Sequence, residues 1–331
     1  EFQPQTKEEL QTAVNLWCSD SVSALDIYGQ INTWDVSLIT DMSSLFNGKQ
    51  TFNSVISNWD VSSVTNMNNM FHGASSFNQD LSNWNVSNAT DLAYMFCRTS
   101  NFNQDLSSWD ISNVTNLNGT FFLASVFNGD ISTWDVSNVV VMGALFAEAL
   151  MFNQNISNWD VSAVQSMYVM FQNANQFNQD ISNWNISNVN HMGYMFRHAT
   201  SFNQNISSWD VSNVNNMEGV FYNAQLLSDE NKCSIHTSWS SNSNWAYDWS
   251  GYCSSGSENF SLSFDGIDDF IEAPPIDLTN QVFTIEAWIK LPEATHPART
   301  NIIDSYEISS TPGRKWGIYI TGTSDILGPG Y

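Results

Sequence analysis

The sequence predicts a capped α/β solenoid of eight 25-residue repeats, followed by a partial β-sandwich of jelly-roll type. Three observations carry this. Trp recurs at 34, 59, 84, 109, 134, 159, 184 and 209, a step of 25 without insertion. Phe keeps the same step at 46, 71, 96, 121, 146, 171, 196 and 221, and again at 52, 77, 102, 127, 152, 177 and 202. Near residue 258 the step stops and a two-residue alternation replaces it. One unit cannot bury its own Trp and two Phe, so neighbouring units stack to do so. The expected order is a helical cap over 1–33, the solenoid over 34–233, a cap or linker over 234–257, and an incomplete sandwich over 258–331.

The first element is the N-terminal cap. Thr6 and Glu9 fit a capping box, and Leu10, Val14 and Trp17 then share one face at spacings of four and three. A helix over about 7–18 would cover the open end of the first repeat. Within a repeat, Trp59-Asp60-Val61-Ser62 alternates apolar and polar residues, the period of a short strand. Val64, Met67, Met70, Phe71 and Ala74 follow the spacing of a short amphipathic helix, with Ser62 or Ser63 as N-cap. Phe77-Asn78 closes the turn. The Asn after this Phe recurs in seven units, from 53 to 203. It either bonds the backbone of the next unit or supplies a residue tolerant of a left-handed turn. The last repeat ends in a Trp-rich stretch with Trp239, Trp245 and Trp249. There Cys233 and Cys253 lie close enough in sequence to predict a disulfide, which fits an oxidising compartment. Cys18 and Cys97 show no pairing signal. From 258, Phe260 to Phe264 and Phe283 to Lys290 alternate as strands separated by turns.

Composition narrows the function. There are 9 Lys and Arg against 33 Asp and Glu, a net charge of −24. Between Lys49 and Lys232 the bases are Arg98 and Arg197 alone, with His left aside. Nucleic acid and anionic lipid, which both need clustered cations, are therefore not expected partners. No stretch reaches the roughly 18 apolar residues of a membrane span.

The repeat unit, typified by residues 52–71 and their copies, resembles the BspA-like leucine-rich-repeat surface proteins, or DUF285 family. Leu16-Trp17-Cys18-Ser19-Asp20 and Tyr28-Gly29-Gln30-Ile31-Asn32-Thr33-Trp34-Asp35 resemble the start of such arrays. The resemblance covers about 1–225. It implies a secreted or cell-surface protein with an interaction or adhesion role, no enzymatic activity and no defined ligand. Leu262-Ser263-Phe264-Asp265-Gly266-Ile267-Asp268-Asp269-Phe270 and Phe283-Thr284-Ile285-Glu286-Ala287-Trp288-Ile289 resemble the opening of a concanavalin-like, laminin-G-type domain. That resemblance implies carbohydrate or protein binding, often with calcium. It spans well under half of such a domain, so the natural chain is expected to continue past Tyr331, or another chain to complete the fold.

Three groups of candidate site residues stand out. Asp60, Asp110, Asp135, Asp160 and Asp210 repeat on one polar face, with Asn85 and Asn185 at equivalent positions. A second row holds Asp80, Asp105, Asp130 and Asp180. These rows are either a strip for calcium or glycans or a solvated face that opposes self-association. Asp265, Asp268 and Asp269 are hard-oxygen candidates for calcium, although Asp265-Gly266 also reads as a hairpin turn. Sequons place possible glycosylation at Asn85, Asn113, Asn155, Asn185, Asn205 and Asn259. The Trp column, flanked by Val, reads as core rather than as a sugar-stacking platform. The five His residues have no matched nucleophile and carboxylate, so no catalysis is expected. The expected function is that of a non-enzymatic extracellular scaffold, adhesin or fibre subunit. Its partners would be other copies of itself, or host or extracellular glycans and proteins. The alternatives are a lectin-type module on a solenoid stalk, or the non-catalytic part of a longer secreted hydrolase.

Overall fold

The computed structural model describes residues 2–253, which lie in the first of the two units into which the chain divides, Glu1–Phe260. The repeats stack, each 25-residue coil resting on the next, but they are not an α/β solenoid. Among the described residues no sheet forms and no helix lies inside a repeat. The β features are isolated parallel bridges, one residue per coil, from Asp41↔Asn66 through to His191↔Asn216. Residues 258–331, where the β-sandwich was expected, lie outside the described part.

The expected helix fails for a reason visible in the backbone. In the first coil, Leu45, Asn47 and Lys49 donate their N–H to the carbonyls three residues back, closing successive β-turns. The intervening residues Met42, Ser44, Phe46 and Gly48 donate instead to Asn66, Asn68, Met70 and His72 of the next coil, at 2.8–2.9 Å. An α-helix would keep all these bonds inside one segment. The alternation requires two left-handed residues per coil, for example Tyr94 (φ 55°) and Arg98 (φ 57°). Buried residues at spacings of three and four satisfy a run of turns as well as a helix. Val64, Met67, Met70, Phe71 and Ala74 are all fully buried, as the helical pattern required. The expected strand is interrupted in the same way. Trp59 and Val61 are buried and Asp60 is exposed, but Val64 donates back to Val61, so the chain bends after three residues.

Three columns of side chains bind the stack. Each Trp from 59 to 209 donates its indole N–H to a carbonyl of the preceding coil, as Trp134 does to Leu106 at 3.0 Å. The indoles stack coil upon coil, with centroids 6.5 Å apart for Trp109 and Trp134. The two Phe columns stack within 9° of parallel at most steps, as in Phe96–Phe121 at 5.7 Å. Such pairs each add about 0.5–1.5 kcal/mol beyond burial. The Asn ladder is present. Asn78 N–H donates to Asn53 Oδ1 at 2.9 Å, and the same bond repeats through Asn203 to Asn178. A second ladder, with no counterpart in the sequence reading, runs from Asn88, Asn113, Asn138, Asn188 and Asn213 to carbonyls one coil back.

Both ends are closed by chemistry that imitates a missing coil. Helix α1 (Lys7–Ser19) starts at the Thr6 cap and buries Leu10, Ala13 and Val14. From it, Gln11 Nε2 donates to the Leu45 carbonyl, which has no earlier coil to serve it. The Asp20 side chain accepts from the Ser23 N–H and so caps a second helix, α2 (Ser21–Tyr28). At the far end Ser228 N–H takes the next rung of the ladder, on Asn203 Oδ1, while its hydroxyl caps α3 (Asp229–Trp239). Trp239 stacks on Trp209 at 6.2 Å, and the Tyr247 hydroxyl accepts from Phe221 N–H. Cys233 of α3 and Cys253 of α4 (Ser250–Cys253) form the expected disulfide. Cys18 and Cys97 are free thiols, and burial pushes Cys97 up to about 11.

Two outcomes follow. Val169 holds φ 50°, costly for a β-branched residue, whereas Asn69 occupies the same left-handed position four coils earlier in the array. Val169→Asn should therefore raise stability by about 1 kcal/mol, read as a higher urea midpoint. Trp134→Phe keeps most of the burial but loses the bond to Leu106, and should cost about 1–2 kcal/mol by the same measurement.

Candidate functional site

The acidic rows are built into the turns. Asp110 Oδ1 accepts the Ser112 N–H at 3.0 Å and its hydroxyl at 2.7 Å. Asp60, Asp135, Asp160 and Asp210 each accept the N–H two residues on at 3.0 Å. Asn85 and Asn185 make the same bond to Ser87 and Ser187. The second row repeats it, from Asp80–Ser82 to Asp180–Ser182. These are Asx turns, and they need an oxygen acceptor rather than a charge. That is why Asp and Asn interchange along the row. The structure aligns Asp60, Asp110, Asp135, Asp160 and Asp210 in one column, yet each is tied to its own Ser. Among the described residues no three or more His, Cys, Asp or Glu groups could together hold a metal ion. Asp265, Asp268, Asp269 and Asn259 lie outside the described residues.

The sequons divide by geometry. Asn85, Asn155, Asn185 and Asn205 are exposed and use Oδ1 as the turn acceptor. Asn113 instead spends its Nδ2 on the Ser87 carbonyl at 2.8 Å, so modification there would remove a rung of the second ladder.

A different surface has side chains to spare. The run of β-turns satisfies most of its backbone from coil to coil, apart from an Asx turn at its start in most coils, so many of its outward residues are free to vary. It is also where the repeats differ most. Positions equivalent to Ser43, Ser44, Asn47 and Gly48 hold Tyr168, Tyr94, Arg197 and Glu148 in other coils, among other residues. In the last coils these residues cluster. Tyr168 meets His191 edge-on, with centroids 4.7 Å apart, and lies 6.3 Å from Tyr194. The Arg197 guanidinium sits 5.4 Å from the Tyr194 ring centroid and 5.5 Å from that of Tyr222. Tyr222 also meets His198 edge-on at 5.5 Å. Tyr194 OH donates to the Glu218 carboxylate in a short bond, which raises the Tyr194 phenol. Gly219 makes room for this ring, since a Cβ there would fall 2.5 Å from it. Tyr168 and Tyr222 are 43% and 57% exposed, and His191 Nδ1 and Arg197 Nε are buried without a partner. The sequence reading missed this cluster. The signal was available in the positions at which the repeat unit keeps no fixed residue.

Residues 18–132 and 115–239 match the family described as Mycoplasma protein of unknown function, DUF285. The chain belongs to the DUF285 family. The two matches together cover more than half of its length, and they fall on the stacked coils with α2 and α3. Membership is compatible with a surface protein and names no activity. The laminin-G resemblance gains no support from these comparisons. No curated protein and no solved structure matches the chain. Among the described residues no helix is long and apolar enough to cross a membrane.

The Asx turns also set a pH dependence. Hydrogen bonds from Ser112 and Ser162 hold the Asp110 and Asp160 carboxyls below 3.8, and those from Ser212 do the same for Asp210. A lowered folded value means that this stability is present above 3.8 and is lost as pH falls through the lower folded value. Thermal melting should therefore be unchanged from neutral pH down to about pH 5 and fall below about pH 4. Asp110→Asn should melt within a degree or so of wild type, and Asp110→Ala should lose about 1 kcal/mol.

Proposed function

We propose that this DUF285 chain acts outside the cell as a non-enzymatic adhesin, with the run of β-turns as its contact face. The carrying observation is the contrast between surfaces. On the Asx faces the exposed Asp, Asn and Ser repeat from coil to coil because they bond the backbone. On the turn face the exposed residues change from coil to coil, and in the last coils they include Tyr, Arg and His. These are residue types favoured where proteins make their strongest contacts. The disulfide and the scarcity of bases fit an extracellular setting. Partners are host or extracellular proteins and glycans. The residues that carry the lectin resemblance lie outside the described part and add nothing to this assignment.

The test is retention of the purified chain on arrayed extracellular-matrix proteins and glycans. Wild type should be retained on at least one class. A Tyr168→Ala, Arg197→Ala, Tyr222→Ala triple variant with an unchanged melting curve should bind at least about tenfold more weakly. Retention that the triple variant leaves intact would remove the turn face from this role.

A further inference from the structure

The opposite end of the turn face holds a cavity of about 380 Å³, lined by Asn47, Gly48, Gln50, His72, Gly73, Ser75 and Arg98. Its origin lies in the repeat register. Gly48 and Gly73 occupy the column that continues as Arg98, Leu123, Glu148, Asn173, His198 and Asn223. Two successive coils thus lack a side chain, and the bare backbone forms a floor. A Cβ on Gly48 would meet nothing within 4 Å, so the space is open rather than filled by neighbours. Asn47 and His72 belong to one flanking column, Gln50 and Ser75 to the other, and Arg98 stands at the end. A second cavity of about 220 Å³ shares Gly48 and Gln50 and adds Lys49.

The charge here is unlike that of the rest of the chain. Of the described Lys and Arg residues, Lys7 pairs with Asp41 and Lys232 with Asp229, each at 3.0 Å. Arg197 lies against two Tyr rings. Lys49 and Arg98 make neither kind of contact; Arg98 lines this trough and Lys49 the adjoining smaller cavity, and no carboxylate lines either. Two cations without a carboxylate partner in adjoining cavities, in a chain with 33 acidic residues, give this surface a local positive potential that suits a negative ligand.

We propose that this trough binds an acidic sugar. The planar Arg98 guanidinium suits its carboxylate, and the Asn47, Gln50, Ser75 and His72 side chains suit the neighbouring hydroxyls. The volume falls within the range of small-molecule sites, about 300–1,000 Å³. Burial and the nearby Arg98 charge keep His72 below its ordinary value, so at neutral pH its ring offers both a donor and an acceptor. The proposal extends the recognition role of the same face to a particular ligand class.

Isothermal titration of the full chain with glucuronate, glucose and inorganic sulfate tests it. Glucuronate should bind with saturation, and glucose at least about tenfold more weakly, because a charge-assisted bond is lost. Arg98→Ala should weaken glucuronate by about tenfold or more. A Gly48→Asn, Gly73→Asn variant should abolish binding yet melt normally, because Asn173 and Asn223 already sit left-handed in that column. Absence of glucuronate binding, full affinity in either variant, or equal binding of sulfate would overturn the proposal. The Tyr168, Arg197 and Tyr222 triple variant should keep full glucuronate affinity. Loss of retention on the array with glucuronate binding intact, or the reverse, therefore separates a failure of one assignment from a failure of the other.

Discussion

Everything in this chain rests on how a backbone without helix or sheet satisfies its polar groups. A buried N–H or carbonyl left unpaired costs about 1–3 kcal/mol, so a 25-residue coil cannot leave many. The solution alternates. One residue closes a turn within its coil and the next reaches the neighbouring coil, and left-handed residues at two positions keep the alternation going. Side chains complete the rest: indole N–H groups, Asn amides and Asx acceptors each serve a particular backbone atom. The aromatic columns supply apolar burial, but the hydrogen bonds decide the register at which they stack. The caps confirm the rule, since Gln11 and Tyr247 each replace one atom of a coil that is not there.

Much of this was legible in the sequence, and the illegible parts have physical causes. The Trp and Phe columns, the Thr6 N-cap, the Asn ladder and the Cys233–Cys253 bond could be read because each depends on residue identity at a fixed spacing; Glu9 bonds the Gln5 N–H rather than closing the box on Thr6. The α/β assignment failed because burial at spacings of three and four is common to helices and to successive β-turns. The sign of φ separates them, and Tyr94, Leu123 or Val169 gives no hint of it. The acidic rows were visible, but their meaning lay in the exchange of Asp for Asn, which points to an acceptor and away from an ion ladder. The Tyr168, His191, Tyr194, Arg197 and Tyr222 cluster was hidden because its members are brought together only by the coil register.

A division of labour follows from the same rule. Where side chains complete the backbone, each coil repeats the last and substitution is constrained. Where the backbone completes itself, side chains are released. Recognition chemistry can therefore change along the turn face without disturbing the stack, from the glycine-floored trough near Arg98 to the aromatic cluster around Arg197. Both surfaces belong to one face because that face leaves most of its outward side chains free of backbone bonds.

The direction of the inter-coil bonds has an electrical consequence. At each interface at least four backbone N–H groups donate to carbonyls of the later coil, while one or two, such as Thr65 to the Thr40 carbonyl, donate back. Peptide dipoles of about 3.5 D each therefore leave a net moment along the stack, the forward ones outnumbering those that point back. The first coil presents the negative pole and the last coil the positive one, as though a helix had been laid on its side and reversed. Lys7 and Gln11 stand at the negative end, and the Tyr247 oxygen stands at the positive end. The array is polar as well as repetitive, and each added repeat lengthens its moment.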